Sequence, residues 1–300
     1  MSGSGEVSGP NFPARRLVST SMKPIALLAA ATAFVFAQVP EGRFERTLSV
    51  PEAVHLDLTT DSGGISVKPG ASGAVQIRGI LKSARRIGSG DVERKIRALE
   101  QNPPIEQNGN TVRVGHVADR ELLRGVSMRL EILAPPGSSL LARVDSGGIQ
   151  VEGIRGPVDA KADSGGIGAA GISSEVRVAT DSGGIHIRDV RGPVFARADS
   201  GGIEAIEIAG AIDVETDSGG VRLSQTTPAT VRAQADSGGV SLKLAPGGGY
   251  DVNVSSGSGR ITLPEMTVRG TVSRHRAEGK VRGGGPMVDI RVDSGNIHIE

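Results

Sequence analysis

An all-β fold, a single-stranded parallel β-solenoid of 18–19-residue coils with two short strands per coil, is predicted by three observations. The tetrad Asp-Ser-Gly-Gly, followed by Ile or Val, recurs at Asp61, Asp145, Asp163, Asp181, Asp199, Asp217 and Asp236. From Asp145 to Asp217 the copies stand eighteen residues apart, and nineteen separate Asp217 from Asp236. Between the turns, apolar and polar residues alternate with the period of a strand. Finally, 300 residues hold 44 glycines but only five Phe, one Tyr and no Trp, so the core is built from small aliphatics.

The elements follow in chain order. Met22-Lys23-Pro24 precedes an apolar run from Ile25 to Ala37, after which Gln38-Val39-Pro40-Glu41-Gly42 turns polar. Thirteen apolar residues are too few to span a bilayer, which needs about 20, and Val35 and Ala37 are the small residues that precede signal peptidase cleavage. Residues 1–37 therefore read as a signal peptide with an extended leading region, cleaved after Ala37. No transmembrane helix is expected after cleavage.

Residues 38–144 form a β-rich capping segment. The period is lost after Asp61, and residues near 89–101 read as a short helix, with Ser89 or Asp91 as cap and Val92, Ile96 and Leu99 on one face. Pro103-Pro104 stops it. Pro104 to Val114 reads as a hairpin about Asn108-Gly109, and Val126 to Leu133 as a strand. Such a segment is what a solenoid needs at its open end, because a bare strand edge recruits other chains.

Residues 145–300 are the repeats. In DSGGIQVEGIRGPVDAKA, Ile149, Val151 and Ile154 alternate with polar neighbours, and Val158, Ala160 and Ala162 do so after a Gly-Pro turn. The next coils repeat the offsets, with Ile185 and Ile203 facing inward. Gly147, Gly165, Gly183, Gly201, Gly219 and Gly238 supply positive φ, and each turn aspartate is expected to accept hydrogen bonds from the backbone that follows it. Ser255-Ser256-Gly257-Ser258-Gly259 reads as a degenerate eighth copy, and a last copy starts at Asp293. With coils stacked in sequence order, Asp159, Arg177, Phe195, Asp213, Arg232 and Asp251 form an outward ladder of mostly alternating charge.

Composition limits the chemistry. Without cysteine there are no disulfides, thiolate metal sites or acylated lipoprotein cysteines. The net charge is +1, and residues 1–37 contribute +2, so no basic field points to nucleic acid. Asp-Ser-Gly-Gly also surrounds the nucleophile of trypsin-like proteases, but seven copies argue against a triad, and the five His show no relation to any turn. Calcium β-rolls place the aspartate after their glycines, and one aspartate per coil falls short of the six to eight oxygens calcium takes. A polysaccharide-acting β-helix enzyme is the remaining rival, although Phe195 and Tyr250 are the only aromatics in the repeats.

Taken together, the DSGG run, the inserted helix, the Gln107 to Val112 hairpin and the closing Gly283 to Ile299 strand pair resemble the bacterial putative-adhesin domain of unknown function. This is a β-strand-repeat family akin to the toastrack and head-GIN domains. The resemblance implies an exported, non-enzymatic β-solenoid, a cell-envelope scaffold or adhesion module in the periplasm, on the outer surface or secreted. It implies an envelope or surface ligand, protein or glycan, and neither cofactor nor catalytic residues.

Overall fold

The computed structural model describes residues 41–84, 90–263 and 268–300. The expected signal peptide and the Ser89 cap lie outside them. Two long sheets enclose one hydrophobic core, and each coil gives one strand to each sheet.

The period-two pattern becomes ladders of similar aliphatic side chains. In the first sheet Ile149, Ile167, Ile185, Ile203, Val221, Val240 and Ile297 stand in parallel register, all buried. In the second, Leu140, Val158, Val176, Val194, Ile212, Val231 and Val288 do the same. Each fully buried Val or Ile contributes about 1.5–3 kcal/mol, and β-branched side chains fit the pleat. Thr60, Thr180, Thr216 and Ser256 are also buried, just before the turn. Their hydroxyls donate to backbone carbonyls, Thr180 to Gly165 at 3.0 Å and Thr216 to Gly201 at 3.1 Å, which satisfies them inside the core.

At the amino-terminal end, His55–Ser62 pairs with Ser139–Ser146 and Ile65–Pro69 with Ile149–Glu152, so the Asp61 turn stacks directly on the Asp145 turn. The chain between them closes that end. Thr111–Val114 flanks His55–Ser62, and Val126–Ala134 flanks Ile65–Pro69. Helix α1 (Gly90–Gln101) buries Ile96 and Leu99, and Glu100 accepts the Arg43 N–H at 2.8 Å.

The carboxy-terminal end departs from sequence order in two ways. Met287–Ser294 inserts between Val231–Ser237 and Tyr250–Ser256, so the coil that begins at Asp293 precedes the degenerate one in the stack. Arg232 therefore faces Asp289 and not Asp251, which pairs with Met287. The degenerate copy is also two residues later than its spacing suggested. Ile261 pairs with Ile297, which aligns Gly257-Ser258-Gly259-Arg260-Ile261 with Asp293-Ser294-Gly295-Asn296-Ile297. Gly257, not Ser255, holds the aspartate position, because the loop before Tyr250 lengthens this coil. The same loop makes room for an aromatic that a thin coil was expected to exclude. Tyr250 is fully buried, accepting the Ala245 N–H and donating to Gln225 Oε1, both at 3.1 Å, and burial pushes its pKa up.

Outside, the rest of the ladder holds. Asp159, Arg177, Phe195, Asp213 and Arg232 are neighbours in order, with the Arg177 guanidinium 4.8 Å from the Phe195 ring centre. Eight residues past the turn aspartate the chain bends through a left-handed residue. Gly153 and Gly171 fill this position at φ 65° and 67°, but Asp189 and Glu207 do so at 52° and 61°.

Candidate functional site: the glycine trough

Each turn is shaped by hydrogen bonds between coils. Gly183 N–H donates to Ser200 O at 2.9 Å and Ile185 N–H to Gly202 O at 3.0 Å, and the other turns from Asp61 to Asp236 repeat both bonds, while the Asp293 turn repeats the second. The first glycine of each tetrad is fixed twice over. Gly147, Gly165, Gly183, Gly201, Gly219 and Gly238 have φ between 142° and 156°, a region only glycine occupies readily. A Cβ on any of them would also overlap the carbonyl of the first glycine in the preceding coil. Glycine backbone stacks on glycine backbone.

The aspartates Asp61, Asp145, Asp163, Asp181, Asp199, Asp217, Asp236 and Asp293 stand at the same turn position of successive coils, and all but Asp61 are exposed. The expected bond from each carboxylate to its own turn is not formed. Among the described residues no turn aspartate accepts a backbone N–H, because the first-glycine N–H groups are committed to the next coil. Lys161 lies between Asp163 and Asp181, at 3.7 and 4.0 Å. Burial, with the neighbouring Asp61 and Asp163 carboxylates, raises the pKa of Asp145. No group of three His, Asp or Glu among the described residues is arranged to hold a metal ion.

The second glycine differs. At Gly64, Gly148, Gly166, Gly202 and Gly239 a Cβ would lie 3.1–3.3 Å from the nearest backbone oxygen, and at Gly220 3.9 Å, with no positive φ at any of them. Those contacts are tight but tolerable. The last two coils show as much, since Asn296 and Arg260 occupy this column, with the Asn296 Oδ1 accepting the Arg260 N–H at 2.9 Å. The unforced glycines leave a bare strip on the first sheet. Gly184, Gly202, Gly220 and Gly239 floor an open trough of about 590 Å³, walled by His186, Glu204, Arg222, Ser241 and His298. Glu204 joins its neighbours, 3.3 Å from His186 Nδ1 and 3.5 Å from Arg222.

Sequence reasoning does not join the wall residues into one site, although all share one offset, two residues past the second position of the glycine pair. The expectation that the His bear no relation to the turns is corrected by His186 and His298, which hold that offset. His116 differs again: it is half-buried, its Nε2 3.0 Å from Asp57 Oδ1, and Arg113 contacts the other Asp57 oxygen at 3.2 Å.

Residues 138–300 match the family model described as Toastrack DUF4097. No curated protein matches the chain. Among solved structures, the chain is similar to a putative adhesin from Bacteroides fragilis NCTC 9343, at 15% identity over 86% of this chain and 97% of that one, with a TM-score of 0.35. A putative cell adhesion protein from Clostridium sporogenes ATCC 15579 matches at 14% identity over 86% and 98%, with a TM-score of 0.27. A putative lipid binding protein from Parabacteroides distasonis ATCC 8503 matches at 9% identity over 85% and 96%, with a TM-score of 0.25.

Proposed function

Since the chain belongs to the Toastrack DUF4097 family, we propose that it is an exported, non-enzymatic envelope scaffold or adhesion module that holds its ligand in the trough of the first sheet. The observation that carries this reading is the contrast between the two glycines of each turn. The first is demanded by the backbone, whereas the second recurs in seven coils where the fold tolerates a side chain, and its effect is a floor that a ligand can approach closely. A wall of His, Glu, Arg and Ser offers donors and acceptors in turn, which suits a polar chain laid along the stack. The apolar segment that ends at Ala37 supports the export part of this reading.

The test is a panel of envelope glycans and peptides presented to the full chain and to a Gly202→Asn/Gly220→Asn variant. Asparagine is the side chain this column already accepts at Asn296. Binding without turnover that is lost in the filled variant supports the reading; product formation, or binding indifferent to the filling, overturns it. Mass spectrometry of the protein from its native host is expected to find a mature chain starting at Gln38. A full-length cytosolic product would contradict export.

A further inference from the structure

The trough runs at its carboxy-terminal end into a second depression of about 390 Å³, and the two share Asn296 and His298. Their electrostatics differ. In the trough, Glu204 contacts both His186 and Arg222. The end cup is lined by Arg260, Arg274, His298, Asn296, Ser258 and Thr262, with no carboxylate among the described residues that line it. Arg260 and Arg274 form no salt bridge with any described residue, while Glu300 lies 3.9 Å from His298. The fold itself brings the two arginines together, since the Arg274 carbonyl accepts the N–H of Ile261, the residue after Arg260, at 3.1 Å. The column of turn carboxylates also stops one coil short of the cup, where Gly257 replaces aspartate.

Two guanidinium groups with no carboxylate partner among the described residues, and with hydroxyl and amide donors beside them, match an oxyanion, which guanidinium binds through parallel charge-assisted bonds. The trough points to what carries that anion. Its strands are paired on both sides and the floor carbonyls of Gly184, Gly202, Gly220 and Gly239 accept N–H groups from the neighbouring coil, so it offers no free edge to an extended peptide. The floor glycine N–H groups, which donate to no described residue, are left with the wall side chains to meet hydroxyl groups. A polyanion would be repelled by the aspartate column beside it. We infer that the cup seats a single oxyanion, a phosphate, sulfate or carboxylate group, carried at the end of an otherwise neutral glycan that lies in the trough. The inference rests on the trough being the ligand face.

The experiment measures the affinity of the full chain, and of an Arg260→Gln/Arg274→Gln variant, for hexasaccharides derived from cellulose, chitin and xylan. Each is used in its neutral form and with its reducing end oxidised to a carboxylate. The expected result is an affinity about tenfold higher for the acidic form, a preference that falls with added salt and disappears in the variant while neutral-chain binding is unchanged. An equal affinity for both forms, or a preference that survives in the variant, overturns the inference. Inorganic phosphate, titrated alone by NMR, reads the cup without the trough. Phosphate-dependent shifts at Arg260 and Arg274 in the full chain, absent from the variant, are expected. No phosphate response in the full chain overturns the inference whatever the glycans do, whereas failure of every chain to bind beside a positive phosphate response faults the trough reading instead.

Discussion

The two glycines of each turn are neighbours in sequence and opposites in cause. The first-glycine column lies where coil meets coil, with positive φ and no space for a Cβ beneath the carbonyl of the adjacent glycine. The second column lies on the outer face of the first sheet, where the chain accommodates Asn296 and Arg260 at the end of the stack. Recurrence within a repeat therefore has two sources. One is what the backbone requires, and the other is what the surface must leave empty. Only the geometry around each Cα separates them.

Substitutions around one turn sharpen this contrast. The largest effect is expected at Ile203, directly after the second glycine and buried in the core ladder. Ile203→Asp places an unpaired charge among Ile and Val and should destabilise by about 4 kcal/mol in denaturant unfolding. His186→Asp, on the exposed offset, should cost less than about 1 kcal/mol; equal losses would mean that the two faces are wrongly assigned. Next, Thr216→Val removes the hydroxyl bonded to the Gly201 carbonyl and should cost about 1–2 kcal/mol, tying the turn's stability to the column that stacks. A neutral result would show that this carbonyl finds another donor.

Glu207→Gly should act in the opposite direction. Glu207 holds φ 61° where Gly153 and Gly171 stand in earlier coils, and relieving a left-handed non-glycine residue is expected to stabilise by about 1 kcal/mol. A loss of stability would mean that the Glu207 side chain contributes more than its backbone strain. The smallest effect belongs to the aspartates. Stacked carboxylates about 4.8 Å apart repel by about 0.9 kcal/mol at the dielectric constant of water, and the turn carboxylates accept no backbone N–H in return. Asp199→Asn and Asp199→Ala should thus be alike and neutral to slightly stabilising. For Asp145 the pKa is raised in the folded chain, so stability declines as pH climbs from the ordinary value of 3.8 through the raised one. Asp145→Asn should accordingly melt higher than the parent at pH 7, with the difference vanishing below 3.8. A difference independent of pH would remove charge as its cause.

The coil body was legible because its register is set by a strict period and a turn that recurs at fixed spacing. The helix over Gly90–Gln101, the Asn-Gly hairpin and the inward Ile and Val rows all follow from local pattern. The carboxy-terminal order does not, because nothing in the spacing of Ser255 reveals that Met287–Ser294 arrives later and takes the place beside Val231–Ser237. Both arrangements bury alternating Val and Ile, and both offer Arg232 an acidic partner. A loop of extra residues before Tyr250 likewise shifts the degenerate turn from Ser255 to Gly257 without altering the alternation. The trough was hidden for another reason. A glycine enforced by its backbone and a glycine kept bare are the same letter, and only the Asn296 position hinted that the second could carry a side chain.

The comparison stands or falls on the paired unfolding free energies of Gly201→Ala and Gly202→Ala, measured in the same buffer. Gly201→Ala combines an unfavourable φ of 151° with overlap of the Gly183 carbonyl and should cost about 3 kcal/mol or more. Gly202→Ala meets only the Gly220 oxygen at 3.2 Å and should cost less than about 1 kcal/mol. Equal and large losses would show that both glycines are kept by the fold, and the trough would then be a by-product of how the coils stack.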